Sequence, residues 1–79
     1  MPTVLRADSF RFVIYTDDHP PPHVHAFGDG EAKIKIGRDG EAPSMIYAVG
    51  MKVPALRRAT QIVAANQALL NAKWIEIHG

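Results

Sequence analysis

Glu31-Ala32-Lys33-Ile34-Lys35-Ile36 alternates polar and apolar residues without a break. That is the period of a strand with one face buried and the other in solvent. Gly28-Asp29-Gly30 stands directly before it, and His23-Val24-His25-Ala26-Phe27 before that, so the two runs read as a hairpin. The length of the turn decides where every side chain of the first strand points. A two-residue Asp29-Gly30 turn sets His25 opposite Ile34 and sends His23 and His25 into the core. A three-residue Gly28-Asp29-Gly30 turn sets Val24 opposite Ile34, Ala26 opposite Ala32, His25 opposite Lys33 and His23 opposite Lys35. A slip of one residue exchanges the two faces, so these registers exclude each other. The three-residue form takes glycine at its left-handed third position, here Gly30, and it sorts apolar from polar side chains on both strands. It is the register expected.

The rest of the chain supplies partners for this hairpin. Phe10-Arg11-Phe12-Val13-Ile14-Tyr15 is aromatic and β-branched, which favours a strand with Phe10, Phe12 and Ile14 on one face and Arg11, Val13 and Tyr15 on the other. Thr3-Val4-Leu5-Arg6 reads as a short strand before it, with Ala7-Asp8-Ser9 as the turn. Residues 17–22 include Pro20-Pro21-Pro22, which donate no ladder hydrogen bonds, so this stretch is a stiff loop. Gly37-Arg38-Asp39-Gly40 reads as a turn, and residues 44–49 as a further strand.

From Pro54 to Trp74 the period changes. Leu56, Ala59, Ile62, Val63, Asn66, Leu69, Leu70 and Trp74 recur at helical spacing, and Pro54 suits a first helical turn. Asn66 marks the stripe's edge or bonds a neighbouring backbone. The expected architecture is a single α+β domain over residues 1–79: an antiparallel sheet of three to five strands with one long C-terminal helix packed across one face.

Composition narrows the function classes. The chain has 79 residues and no cysteine, so disulfides and thiolate zinc sites are excluded, and a domain this small leans on a metal or a partner for stability. No apolar run approaches the roughly 18 residues of a membrane span, and the first residues lack the pattern of a signal peptide, so a cytoplasmic protein with no membrane partner is expected. Residues 1–50 hold five basic against seven acidic side chains, and residues 51–79 four against one. The basic helix reads as a solvated face, while the asymmetry also suits an acidic partner or nucleic acid.

In the favoured register the face opposite the core displays Arg11, Tyr15, His23, His25, Phe27, Glu31, Lys33 and Lys35. Such a basic surface with interleaved aromatics could hold phosphates and stack unpaired bases on Tyr15 and Phe27, or be an ordinary solvated sheet face. Two histidines at i, i+2 could share a metal ion with Glu31 as third ligand, a donor set suited to zinc or iron, although Lys33 and Lys35 would repel a dication. No cofactor is expected. Without metal, His23, His25 or His78 could serve as acid and base in phosphodiester cleavage, with Lys33 or Lys35 stabilising the developing charge. His19 reads as an exposed loop residue.

Met1-Pro2-Thr3-Val4-Leu5-Arg6, Pro21-Pro22-His23-Val24-His25, Gly28-Asp29-Gly30-Glu31-Ala32-Lys33 and the tail from Asn66-Gln67-Ala68-Leu69-Leu70 through Trp74 to His78 and Gly79 together resemble the bacterial domain-of-unknown-function family numbered 4160. Residues 38–53 match it least. The resemblance implies a small bacterial protein encoded beside a member of a second family, numbered 2442, the pair looking like a toxin–antitoxin module, and it implies no catalytic residues. The expected function is therefore a module acting with a cognate partner protein through its basic, histidine-bearing sheet face. RNA and a second copy of the chain are further candidate partners. The alternative is a histidine-based or metal-dependent hydrolase or nuclease centred on His23 and His25.

Overall fold

The computed structural model describes residues 3–38 and 40–79. Asp39, within the expected 37–40 turn, lies outside them, as do Met1 and Pro2. Five strands run in sequence order: β1 (Thr3–Ala7), β2 (Phe10–Val13), β3 (His23–Gly28), β4 (Gly30–Lys35) and β5 (Ser44–Val49), all antiparallel to their neighbours. Two helices follow, α1 (Val53–Ala65) and α2 (Gln67–His78). The fold is α+β, at the upper end of the expected strand count.

Strand β3 meets β4 in the register of the three-residue turn: Val24 with Ile34, Ala26 with Ala32, His25 with Lys33 and His23 with Lys35. Gly30 has φ of +108°, and a Cβ there would strike the backbone of Gly50. Glycine is therefore required twice over, by backbone sign and by space. The β1–β2 turn is a two-residue loop, since Ala7 pairs with Phe10. Asp8 and Ser9 both take positive φ, 54° and 70°, the primed geometry whose twist matches that of the flanking strands. Both outer strands carry a bulge, at Val4 in β1 and at Ile46 in β5, where pairing skips one residue.

Alternation sorts the side chains as the register requires. Phe12, Ile14, Val24, Ala26, Ala32, Ile34 and Ile36 join Ala59, Val63, Leu70 and Trp74 in one buried cluster. Ala26, Ala32 and Ala48 lie side by side across β3, β4 and β5.

The single long helix expected over residues 54–74 is two helices. The break falls at Asn66, whose φ and ψ of −127° and 21° leave the helical region. Its side-chain amide donates to the Ile62 carbonyl at 2.8 Å and its backbone N–H to Val63 at 3.0 Å. A short amide side chain that bonds the carbonyl one turn back competes with the helical ladder and bends it. The expectation that Asn66 bonds neighbouring backbone holds, and that bond accompanies the break. Leu69, placed in the apolar stripe, is 41% exposed. Among the described residues no helix is long and apolar enough to cross a membrane.

Candidate functional site

The hairpin brings its histidines to one place. Residues on β3 alternate, so His23 and His25 point away from Val24 and Ala26. The expected consequence, an exposed imidazole pair, is not what the fold delivers: His23 is 2% exposed and His25 8%. Two elements cover them, one distant in sequence and one the loop just before β3. The ring of Trp74, from α2, lies 5.2 Å from that of His23. The ring of Tyr15 meets the edge of His25 at 4.9 Å, and the loop that follows Tyr15 carries Asp18 over both histidines.

Asp18 was not among the residues singled out by sequence, yet it organises the site. The backbone N–H of Tyr15 donates to Asp18 Oδ2 at 2.9 Å, while Asp18 N–H donates to the Tyr15 carbonyl at 3.1 Å. This reciprocal pair closes the turn and fixes the carboxylate. His23 Nε2 lies 3.4 Å from Oδ2, and His25 Nε2 lies 3.4 Å from Oδ1. One ligand atom from each of Asp18, His23 and His25 falls within 4.8 Å of the others. Burial opposes the charge on Asp18, but the Tyr15 N–H and the two imidazoles outweigh it, so the carboxyl stays below its ordinary pKa.

The remaining ring nitrogens identify the tautomers. His23 Nδ1 lies 2.8 Å from the Pro21 carbonyl, which can only accept, so Nδ1 carries a proton. In the neutral ring, His23 Nε2 then turns its lone pair toward the carboxylate. Buried His23 Nε2 and His25 Nδ1 have no hydrogen-bond partner.

Glu31, expected as a third ligand, takes another place. Its carboxylate stands 3.9 Å from His25 Nδ1 and accepts from the Tyr47 hydroxyl at 3.3 Å, on the far side of the ring from Asp18. Burial and then the Glu31 charge push the Tyr47 phenol above its ordinary pKa. The two lysines are engaged elsewhere. Lys33 Nζ sits 6.0 Å from the centre of the Tyr47 ring, and Lys35 Nζ lies 3.8 Å from Glu41. Arg11 lies over Phe27, 5.2 Å from the ring centre, as their pairing across β2 and β3 requires. His19 is exposed, in line with expectation.

His78 joins the edge of the site. Its ring stacks on Trp74 at 3.9 Å, and its Nε2 lies 3.1 Å from the Tyr15 carbonyl. The candidate residues therefore form a chain of contacting rings, Tyr15–His25–His23–Trp74–His78, with Asp18 beside the two central members. Sequence spacing places the histidines side by side. It carries no signal that a carboxylate from the preceding loop lands between them.

No curated protein and no solved structure matches this chain. Residues 9–75 match the family model described as a domain of unknown function, DUF4160, a span that includes β3, β4 and the whole Asp18–His23–His25 cluster. The chain belongs to the DUF4160 family.

Proposed function

We propose that this protein is a cytoplasmic partner-binding module, one half of a toxin–antitoxin-like pair, and that its cognate protein docks along strand β5. The observation that carries this reading is the composition of that strand. Ser44-Met45-Ile46-Tyr47-Ala48-Val49 holds no charge, lies at the edge of the sheet, and exposes Met45, Ile46, Tyr47 and Val49 by 39–64%. Edge strands ordinarily carry lysine or proline against unwanted pairing. An apolar, uncharged edge suits a strand added from a partner, with main-chain hydrogen bonds giving affinity and alternate side chains giving selectivity. We infer that the helices cover the core face of the sheet and leave the face bearing Lys33, Tyr47 and Val49 open beside that edge. Burial of His23 and His25 moves the proposed contact surface from the histidine strand to β5.

Co-expression with the neighbouring gene product tests this reading. Wild-type chain should co-purify with it, and Ile46→Lys, at an exposed bulge position, should fold normally and lose the complex. Failure of the wild type to co-purify, or full retention by both Ile46→Lys and Val49→Lys, overturns it. Salt-dependent RNA binding that weakens on Lys33→Ala or Lys35→Ala would instead favour the nucleic-acid partner.

A second reading, a histidine-based or metal-dependent hydrolase, is supported by the convergence of two imidazoles on Asp18. It requires phosphodiester cleavage by purified protein that disappears in His25→Ala.

A further inference from the structure

We propose that Asp18, His23 and His25 bind one divalent transition-metal ion of the zinc class, through a carboxylate oxygen and the two Nε2 atoms. This deepens the metal-dependent form of the second reading and is independent of docking at β5.

The first argument is separation. A charged imidazole hydrogen-bonded to a carboxylate closes to about 2.7–2.9 Å. Both Nε2 atoms instead stand 3.4 Å from an Asp18 oxygen, which is long for a direct bond. Two ligands of a tetrahedral ion with bonds near 2.0–2.1 Å are about 3.3 Å apart. Each Nε2 has a carboxylate oxygen at that spacing, Oδ2 for His23 and Oδ1 for His25, and one ligand atom from each of the three residues falls within 4.8 Å of the others.

The second argument is the direction of the lone pairs. The bond from His23 Nδ1 to the Pro21 carbonyl leaves Nε2 buried and without a hydrogen-bond partner, so in the neutral ring its lone pair is turned toward a carboxylate oxygen. Two acceptors facing each other in a dry site leave both unsatisfied. A cation between them removes the conflict. Hydrogen bonding of the distal nitrogen to a backbone carbonyl is also the usual support for a metal-bound histidine. His25 has a similar arrangement in looser form: with Nε2 on the ion, its Nδ1–H would face the Glu31 carboxylate, 3.9 Å away. Glu31 then orients a ligand and is not one itself.

The third argument is the donor set. Two imidazoles and one carboxylate suit zinc or iron and do not suit magnesium or calcium, which prefer oxygen. Three protein ligands leave a position for water. Asp18, at 14%, is the most exposed of the three side chains. The ion would also tie the Tyr15–Asp18 turn to β3, supplying a cross-link to a small domain that has no cysteine.

The test uses untagged full-length protein, stripped with a chelator and titrated with zinc, then with cobalt as a spectroscopic probe. One zinc per chain, a rise in melting temperature with zinc, and the intense visible absorption of four-coordinate cobalt are expected. Asp18→Asn should weaken zinc by at least about tenfold, the lower end of what loss of even a supporting group costs, while His19→Ala should bind as wild type. His23→Ala risks misfolding because that ring packs on Trp74, so Asp18→Asn and the wild-type cobalt spectrum decide. Substoichiometric zinc with no thermal shift, a weak six-coordinate cobalt spectrum, or unchanged affinity in Asp18→Asn overturns the proposal. Stoichiometric zinc without phosphodiesterase activity leaves the site standing and removes the hydrolase.

Discussion

The imidazole of His23 lies against the indole of Trp74, ring centres 5.2 Å apart, joining the first residue of β3 to the last turns of α2. Trp74 also carries the ring of His78 at 3.9 Å. It is the only tryptophan in the chain and is 7% exposed. Trp74→Ala should cost about 3–5 kcal/mol, the range for truncating a large buried aromatic. Since small domains have total stabilities of order 5–15 kcal/mol, the urea midpoint should fall steeply. Trp74→Phe should lose clearly less.

The Asp8-Ser9 turn offers a stabilising change. Ser9 sits at φ of 70°, where a Cβ is disfavoured by about 1–2 kcal/mol and where glycine is the usual occupant of a primed turn. Glycine also loosens the unfolded chain, which offsets part of the gain. Ser9→Gly should therefore stabilise the protein by about 0.5–1 kcal/mol, raising the melting temperature by roughly 2–8 °C for a domain of this size.

Gln67 clamps the segment after β4. Its Oε1 accepts from Gly37 N–H at 2.6 Å, its Nε2 donates to the Glu41 carbonyl at 3.0 Å, and Asn71 Nδ2 donates to the Gly37 carbonyl at 2.9 Å. Gln67→Leu leaves the Gly37 N–H without its partner and should cost about 1–3 kcal/mol. The same amide should exchange faster with deuterium in the variant. Gly37→Ala should be at least as damaging, because its Cβ would meet the Glu41 carbonyl oxygen and Gln67 Oε1.

The Asp8–Arg58 ion pair connects the β1–β2 turn to α1. The Arg58 guanidinium holds the Asp8 carboxyl below its ordinary pKa, by its hydrogen bond first and its charge second. A depressed carboxylate contributes stability above its unfolded pKa, near 3.9, and loses it as pH falls through the lowered folded value. Both side chains are largely exposed, so the contribution is small and screened by salt. The gap in urea midpoint between wild type and Arg58→Ala should be present at neutral pH, shrink below about pH 4, and narrow in roughly 1 M salt.

Much of the fold is legible in residues 10–36 because their signals are local. The Gly28-Asp29-Gly30 turn and the alternation through Ile36 specify a register, and the sheet adopts it. The same holds for Pro54 in the first turn of α1 and for the bond from Asn66 to the backbone. The split into two helices was not legible, because an apolar stripe of helical period continues across Asn66 whether or not the ladder does.

The amino-acid order by itself determined which way the imidazoles of His23 and His25 leave the strand, since the pleat alternates side chains with a period of two. Only the tertiary structure decided what they meet. Asp18 and Trp74 reach them from a loop and a helix whose paths depend on packing at a distance, and no periodicity within β3 records those contacts. Direction is a property of the local backbone. Burial is a property of everything that folds onto it.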